Sequence, residues 1–117
     1  MQLLIDTTQK EKIILALADG NGKILSRKEK SVPYISEHLL SELKRFLKSK
    51  KISLQFLTKI LVNPGPGGFS ATRTGVAVAN ALAYALGIPV SEFPSGKVKE
   101  IVLPKYDKAP NITKPRQ

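Results

Sequence analysis

Ile60-Leu61-Val62-Asn63-Pro64-Gly65-Pro66-Gly67-Gly68-Phe69-Ser70-Ala71-Thr72-Arg73-Thr74-Gly75 is the stretch on which the fold turns. Three successive apolar residues before a proline and glycine cluster read as a strand buried on both faces, the habit of a parallel strand. A helix follows: Ser70 is placed to cap it, residues 71–86 are good helix formers, and Gly87 with Pro89 is a stop signal. Residues 90–93 then supply another short strand. Strand, helix and strand in that order call for a right-handed crossover onto one sheet.

Working toward the N-terminus, Leu3-Leu4-Ile5 closes at Asp6, Thr7 and Thr8 as a buried strand entering a polar turn. Residues 13–18 and 23–28 flank Asp19-Gly20-Asn21-Gly22, whose Asp-Gly and Asn-Gly pairs supply the positive φ of a tight hairpin. Between that meander and the buried strand, Leu39, Leu40, Leu43, Phe46 and Leu47 recur at helical spacing over residues 36–49, leaving a basic opposite face. Residues 54–57 fit no single element. The predicted fold class is α/β, a three-stranded meander followed by helix-strand-helix-strand on one mixed five-stranded sheet, a single ribonuclease H-like lobe. Beyond Pro94 turn residues and lysines become dense, and Pro104, Pro110 and Pro115 deny a long helix or central strand. The expected organisation is a lobe over 1–93 and a basic Pro/Lys-rich tail over 94–117, extended or disordered unless bound.

Composition narrows the chemistry. The chain has 117 residues, 42% hydrophobic and 24% charged, which suits one folded domain. With no cysteine and one histidine, disulfides, thiolate zinc sites and cysteine nucleophiles are excluded. His38 reads as an exposed or capping residue around which no nucleophile, base and orienting group assemble. No catalytic residue, metal or cofactor is therefore expected. Neither a signal-peptide pattern nor an apolar run of ~18 residues occurs, so a cytoplasmic protein without a membrane partner is expected.

The net charge is +10. Lys44, Arg45, Lys48, Lys50, Lys51 and Lys59 share a stretch without an acid, and Lys97, Lys99, Lys105, Lys108, Lys114 and Arg116 crowd the C-terminal end. Such a balance suits nucleic acid, an acidic membrane surface, an acidic protein or simply a solvated lysine-rich surface. Phe46 and Phe56 read as core, which leaves the lysines without an aromatic stacking platform.

From Ile60 to Ser91 the only charged side chain is Arg73. On the second helix Gly75, Val78, Ala79, Leu82 and Leu86 share the face that suits the sheet, and Ala77, Asn80, Ala81 and Tyr84 the opposite one. Small residues with one amide and one phenol allow another helix to approach closely, either from a partner or from this chain's own first helix and tail. The glycine loop stands before a helix N-terminus, where anions are commonly bound. Gly65, Gly67, Gly68 and Ser70 nevertheless miss the dinucleotide spacing, and no Gly-Lys-Ser/Thr of a phosphate-binding loop occurs. Arg73 opposes the helix dipole, so an anionic partner is expected: Asp6, a phosphate or a partner's carboxylate.

These motifs resemble the bacterial tRNA threonylcarbamoyladenosine biosynthesis protein TsaB family, relatives of TsaD in the sugar kinase (ASKHA) superfamily. Leu4-Ile5-Asp6-Thr7-Thr8 is similar to the family's opening strand, and Ser36-Glu37-His38-Leu39-Leu40 to its Ser-Glu-x-Leu-Leu helix start. Gly65-Pro66-Gly67-Gly68-Phe69-Ser70-Ala71-Thr72-Arg73-Thr74-Gly75 resembles its Gly-Pro-Gly-Ser-Phe-Thr-Gly-Leu-Arg-x-Gly signature, and Leu82-Ala83-Tyr84-Ala85-Leu86-Gly87-Ile88-Pro89 continues in register. Ile35 replaces the family's usual histidine, Asn63-Pro64 its Gly-Arg, and Gly68, Ser70, Ala71 and Thr72 its Ser, Thr, Gly and Leu. The resemblance implies the first lobe alone, without the second lobe that encloses a nucleotide. It further implies a non-catalytic scaffold for a TsaD-like paralogue in tRNA threonylcarbamoyladenosine modification, docking through Leu39, Leu40, Leu43, Ala77, Asn80, Ala81 and Tyr84. A second copy is expected on that face when the paralogue is absent, with weak or indirect tRNA contact through the basic patches. The alternatives are a basic RNA-binding accessory module and a nucleotide-binding phosphotransferase fragment.

Overall fold

β1 (Gln2–Asp6), β2 (Lys12–Ala18) and β3 (Ile24–Ser31) form the antiparallel meander in a computed structural model that describes residues 1–95, 98–99 and 101–105. Asp19 builds the β2–β3 turn: its Oδ1 accepts from the N–H groups of Asn21 at 2.8 Å and Lys23 at 2.9 Å, while Gly22 takes φ +85°. An L side chain adopts that φ only with strain, which is what glycine is for here.

β4 (Lys59–Val62) pairs parallel to β1, and β5 (Val90–Glu92) parallel to β4. The sheet order is β3-β2-β1-β4-β5-β6, where β6 (Val98–Lys99) pairs antiparallel to β5. The five expected strands are present in the expected order, and a sixth adds an edge. A two-residue strand among turn residues and lysines has no periodicity to announce it.

Both helices cover one face of the sheet. α1 (Ile35–Ser49) and α2 (Phe69–Leu86) bury Leu39, Leu43, Phe46, Val76, Ala79 and Ala83 against Leu3, Ile5, Leu15, Leu17, Ile60 and Val62. Each large apolar side chain so buried is worth about 1.5–3 kcal/mol, which is what holds the helices to the sheet. α1 carries Glu37 in its first turn and Lys48 in its last, both favoured by the dipole. Its buried Glu42 is held by Lys28 of β3 at 3.3 Å and Arg45 at 3.3 Å, a charge paired as burial demands. α2 ends at Gly87, φ +66°, as the Gly-Ile-Pro signal predicts.

Three expectations are corrected. Gly68, not Ser70, is the N-cap residue of α2, because the loop's last tie to the β1 end, Gly68 N–H to the Thr8 carbonyl at 3.4 Å, leaves Phe69 to open the helix. The inward face of α2 is rotated to Thr72, Gly75, Val76, Ala79 and Ala83, with Val78, Leu82 and Leu86 only partly buried. Small residues let α2 sit close to the sheet and turn its larger ones toward the seam with α1. Phe56 closes a single 3-10 turn (Leu54–Phe56) and is 63% exposed, while its neighbour Leu57 takes the core position.

Candidate docking face and glycine loop

The glycine loop is fastened from three sides. Asp6 Oδ1 accepts from the N–H of Thr8 at 2.9 Å and its hydroxyl at 2.7 Å, and Oδ2 accepts from the Asn63 amide at 3.1 Å. Asn63 Oδ1 in turn accepts from the Gly65 N–H at 3.0 Å. The two carboxylate oxygens thus serve Thr8 and Asn63, and the expected Asp6–Arg73 pair is not formed; Arg73 lies exposed in the second turn of α2. Asn63 is the residue that the sequence reading missed; an amide directly after a buried strand and two before a glycine was the available sign.

Close approach explains two of the glycines. A Cβ on Gly67 would meet Thr8 and the Thr72 hydroxyl at 2.7–2.8 Å, and one on Gly75 would meet the Thr7 hydroxyl at 2.3 Å. That hydroxyl donates to the Ala71 carbonyl at 2.6 Å, tying α2 to the end of β1. From the third side comes the segment after β6: the Lys105 N–H donates to the Pro64 carbonyl, and its ammonium lies 3.7 Å from Glu92. The Gly65 and Gly68 amides are therefore engaged within the chain, which makes the loop a joint between β1, β4 and α2. Gly65 itself has φ +107°.

The seven expected docking residues divide. Leu39 and Leu43 are 1% and 3% exposed and belong to the core, because the i, i+4 stripe they form is the one α1 turns to the sheet. Asn80 is half-buried and bound on both sides by Val102, its Nδ2 donating to the carbonyl at 2.8 Å and its Oδ1 accepting from the N–H at 2.9 Å. Leu40, Ala77, Ala81 and Tyr84 are exposed, Tyr84 by 90%. This chain's own tail thus covers α2 beside Asn80, and the face from Ala77 to Ala85 stays open. Between the helices runs an apolar cleft of about 590 Å³, lined by Leu40, Leu43, Leu47, Ile52, Leu54 and Leu82.

The model of the TsaD family, tRNA N6-adenosine threonylcarbamoyltransferase, matches residues 29–97, more than half of the chain. The chain belongs to this family. Its matched part holds both helices, the glycine loop and β4–β5. Over 41 residues the chain is 46% identical to the tRNA threonylcarbamoyladenosine biosynthesis protein TsaB of Bacillus subtilis (strain 168), a stretch equal to 35% of this chain and 18% of that protein. YeaZ from Pseudomonas aeruginosa superposes with a TM-score of 0.69 and 28% identity, over 78% of this chain and 43% of that one. A second structure, of an uncharacterized protein with similarity to peptidase YEAZ from Pseudomonas aeruginosa, gives the same values and 41% of its own length. The chain spans less than half the length of these relatives.

For a TsaD-family lobe the exposed charge is lopsided. On α1 Lys44, Arg45 and Lys48 are exposed, and Lys50 and Lys51 follow at once. Through Glu42 the helix is linked to Lys28 on β3, where Arg27 and Lys30 are exposed as well. Glu29, between Lys12 at 3.1 Å and Arg27 at 3.1 Å, is held below the ordinary glutamate pKa by hydrogen bonds from Lys12 first and Arg27 second. Of the C-terminal basic group, Lys97, Lys108, Lys114 and Arg116 lie outside the described residues. Among the described residues no three metal-ligating side chains converge, and no helix is long and apolar enough to cross a membrane.

Proposed function

We propose that this chain is a non-catalytic docking subunit for a TsaD-like paralogue in cytoplasmic tRNA threonylcarbamoyladenosine modification, joined through the outer faces of α1 and α2. The observation that carries this reading is the exposed face of α2 past Arg73, where Ala77, Ala81, Tyr84 and Ala85 bear no charge on a chain that is one-quarter charged, next to the cleft that exposed Leu40 lines with Leu82. A helix that faces only water has no need to shed every charge from residues 74–86. Exposed small and aromatic residues beside an apolar cleft are the makings of a helix–helix interface. The function itself follows the family to which residues 29–97 belong and the name of the Bacillus relative.

Ala81→Glu tests it. Size-exclusion chromatography with a TsaD-like subunit should lose the complex while circular dichroism and urea unfolding of the variant stay those of the parent chain. Retention of the complex at micromolar concentration would overturn the reading. A second copy occupies the same face weakly when the paralogue is absent. The contiguous lysines and arginines of β3 and α1 favour a subsidiary contact with the tRNA backbone. That contact should show as binding of an RNA transcript that weakens steeply with salt.

A further inference from the structure

The cleft between the helices has two unlike walls. On the α1 side Lys44 and Lys48 stand beside Leu40, Leu43 and Leu47, and on the α2 side Leu82 is followed outward by Ala81 and Ala85, which carry neither charge nor bulk. The floor is Ile52 and Leu54. Glu42, the nearest carboxylate in sequence, is buried beneath the helix with Lys28 and Arg45 and cannot turn to the cleft. The exposed carboxylate of α1, Glu37, lies seven residues from Lys44, about 10 Å along the axis. The α1 wall is therefore a row of apolar side chains edged by two ammonium groups without acidic neighbours among the described residues, and the α2 wall is low and neutral.

We infer that the occupant of this cleft is an amphipathic helix of a partner whose apolar stripe is edged with Asp or Glu on the side facing α1 and with small residues on the side facing α2. This rests on the docking reading above and adds the partner's chemistry and orientation to it. Charge complementarity selects this occupant over a second copy. Two copies of a chain with net charge +10 repel, and groove-to-groove docking offers Lys44 and Lys48 no acidic edge, so self-association is weak at low salt and strengthens as salt screens the repulsion. An acidic helix shows the reverse, binding tightest at low salt. Ala81 and Ala85 let its backbone come close on one side only, which fixes which flank is acidic.

The experiment uses two stapled helical peptides with the same leucine stripe, one edged with glutamate and one with lysine, titrated by fluorescence anisotropy against the full chain. At about 0.05 M salt the glutamate-edged peptide should bind at least about tenfold more tightly, the sum expected of two rim ion pairs, and the preference should shrink at about 0.5 M. Lys44→Glu/Lys48→Glu should reverse the preference, and Lys44→Gln/Lys48→Gln should abolish it. Both pairs are exposed helix positions whose folding is checked by circular dichroism. Equal binding of the two peptides, binding of neither, or displacement of the acidic peptide by a tRNA transcript in a Lys44- and Lys48-dependent manner would overturn the inference. If Ala81→Glu breaks the complex with a TsaD-like subunit while the peptides show no preference, the docking reading stands and this inference alone fails.

Discussion

α1 and α2 lie on the same face of the same sheet, yet their outer sides differ sharply in charge. Inward, each presents apolar side chains to one shared core; outward, α1 carries Lys44, Arg45 and Lys48, and α2, past Arg73 in its second turn, carries Ala77, Ala81, Tyr84 and Ala85. Burial explains the likeness and cannot explain the contrast. Charge on α1 is what a helix facing water shows, and its absence from α2 past Arg73, on the same sheet of the same chain, is the ground of the docking proposal. The difference thus separates the faces that fold the lobe from the face on which docking is proposed.

The inner likeness is broken most severely at Phe46, 1% exposed in the last turn of α1. Phe46→Ala should cost about 3–5 kcal/mol in urea unfolding, through lost transfer energy and the cavity left behind. On α2 the corresponding weak point is a missing side chain. Gly75→Ala should cost about 1–3 kcal/mol, since its Cβ would lie 2.3 Å from the Thr7 hydroxyl. Adding Thr7→Ala should recover part of that loss in a double-mutant cycle. Asn80 marks the border between inner and outer faces. Asn80→Ala removes both hydrogen bonds to Val102 and should cost about 1–2 kcal/mol, read by urea unfolding and by faster amide exchange at Val102.

At the outer faces the expected effect on stability is small. Lys44→Ala on α1 and Ala81→Ser on α2 should each stay within about 0.5 kcal/mol. A larger change at Ala81 would mean that this chain's own residues already cover α2, and the contrast between the helices would lose its meaning. Smallest of all is Glu29 on the exposed edge strand. Its carboxyl should titrate by NMR below the ordinary glutamate value. The bonds from Lys12 and Arg27 favour the charged form, so their contribution is present above that ordinary value and lost as pH falls through the lowered one. Lys12→Ala should return the midpoint toward normal, by loss of its leading cause.

The parts of this fold legible in the sequence were those with a repeated signal. Leu39, Leu43, Phe46 and Leu47 declared α1, the Asp-Gly and Asn-Gly pairs declared the hairpin, and Gly87 with Pro89 declared the end of α2. Less visible were features set by partners far apart in the chain. Asp6 is turned to Asn63, 57 residues away, and not to Arg73, because an amide beside a strand end competes for the carboxylate and no pattern in the sequence ranks the two. The rotation of α2 was missed because periodicity weighs size, whereas Gly75, Ala79 and Ala83 pack inward by being small. Of the expected docking residues, Leu40, Ala77, Ala81 and Tyr84 keep the exposure the reading needed, Asn80 keeps part of it, and Leu39 and Leu43 do not.

The tie between Lys105 and the glycine loop constrains drift at two distant positions at once. The Lys105 carbonyl occupies the space that a Cβ on Gly65 would fill, so any larger residue at position 65 has to displace a backbone forty positions further on. Selection on the loop and selection on the segment from Val102 to Lys105 are then one selection. A lineage that loses the segment relaxes the steric half of the demand for glycine and keeps the half set by φ +107°.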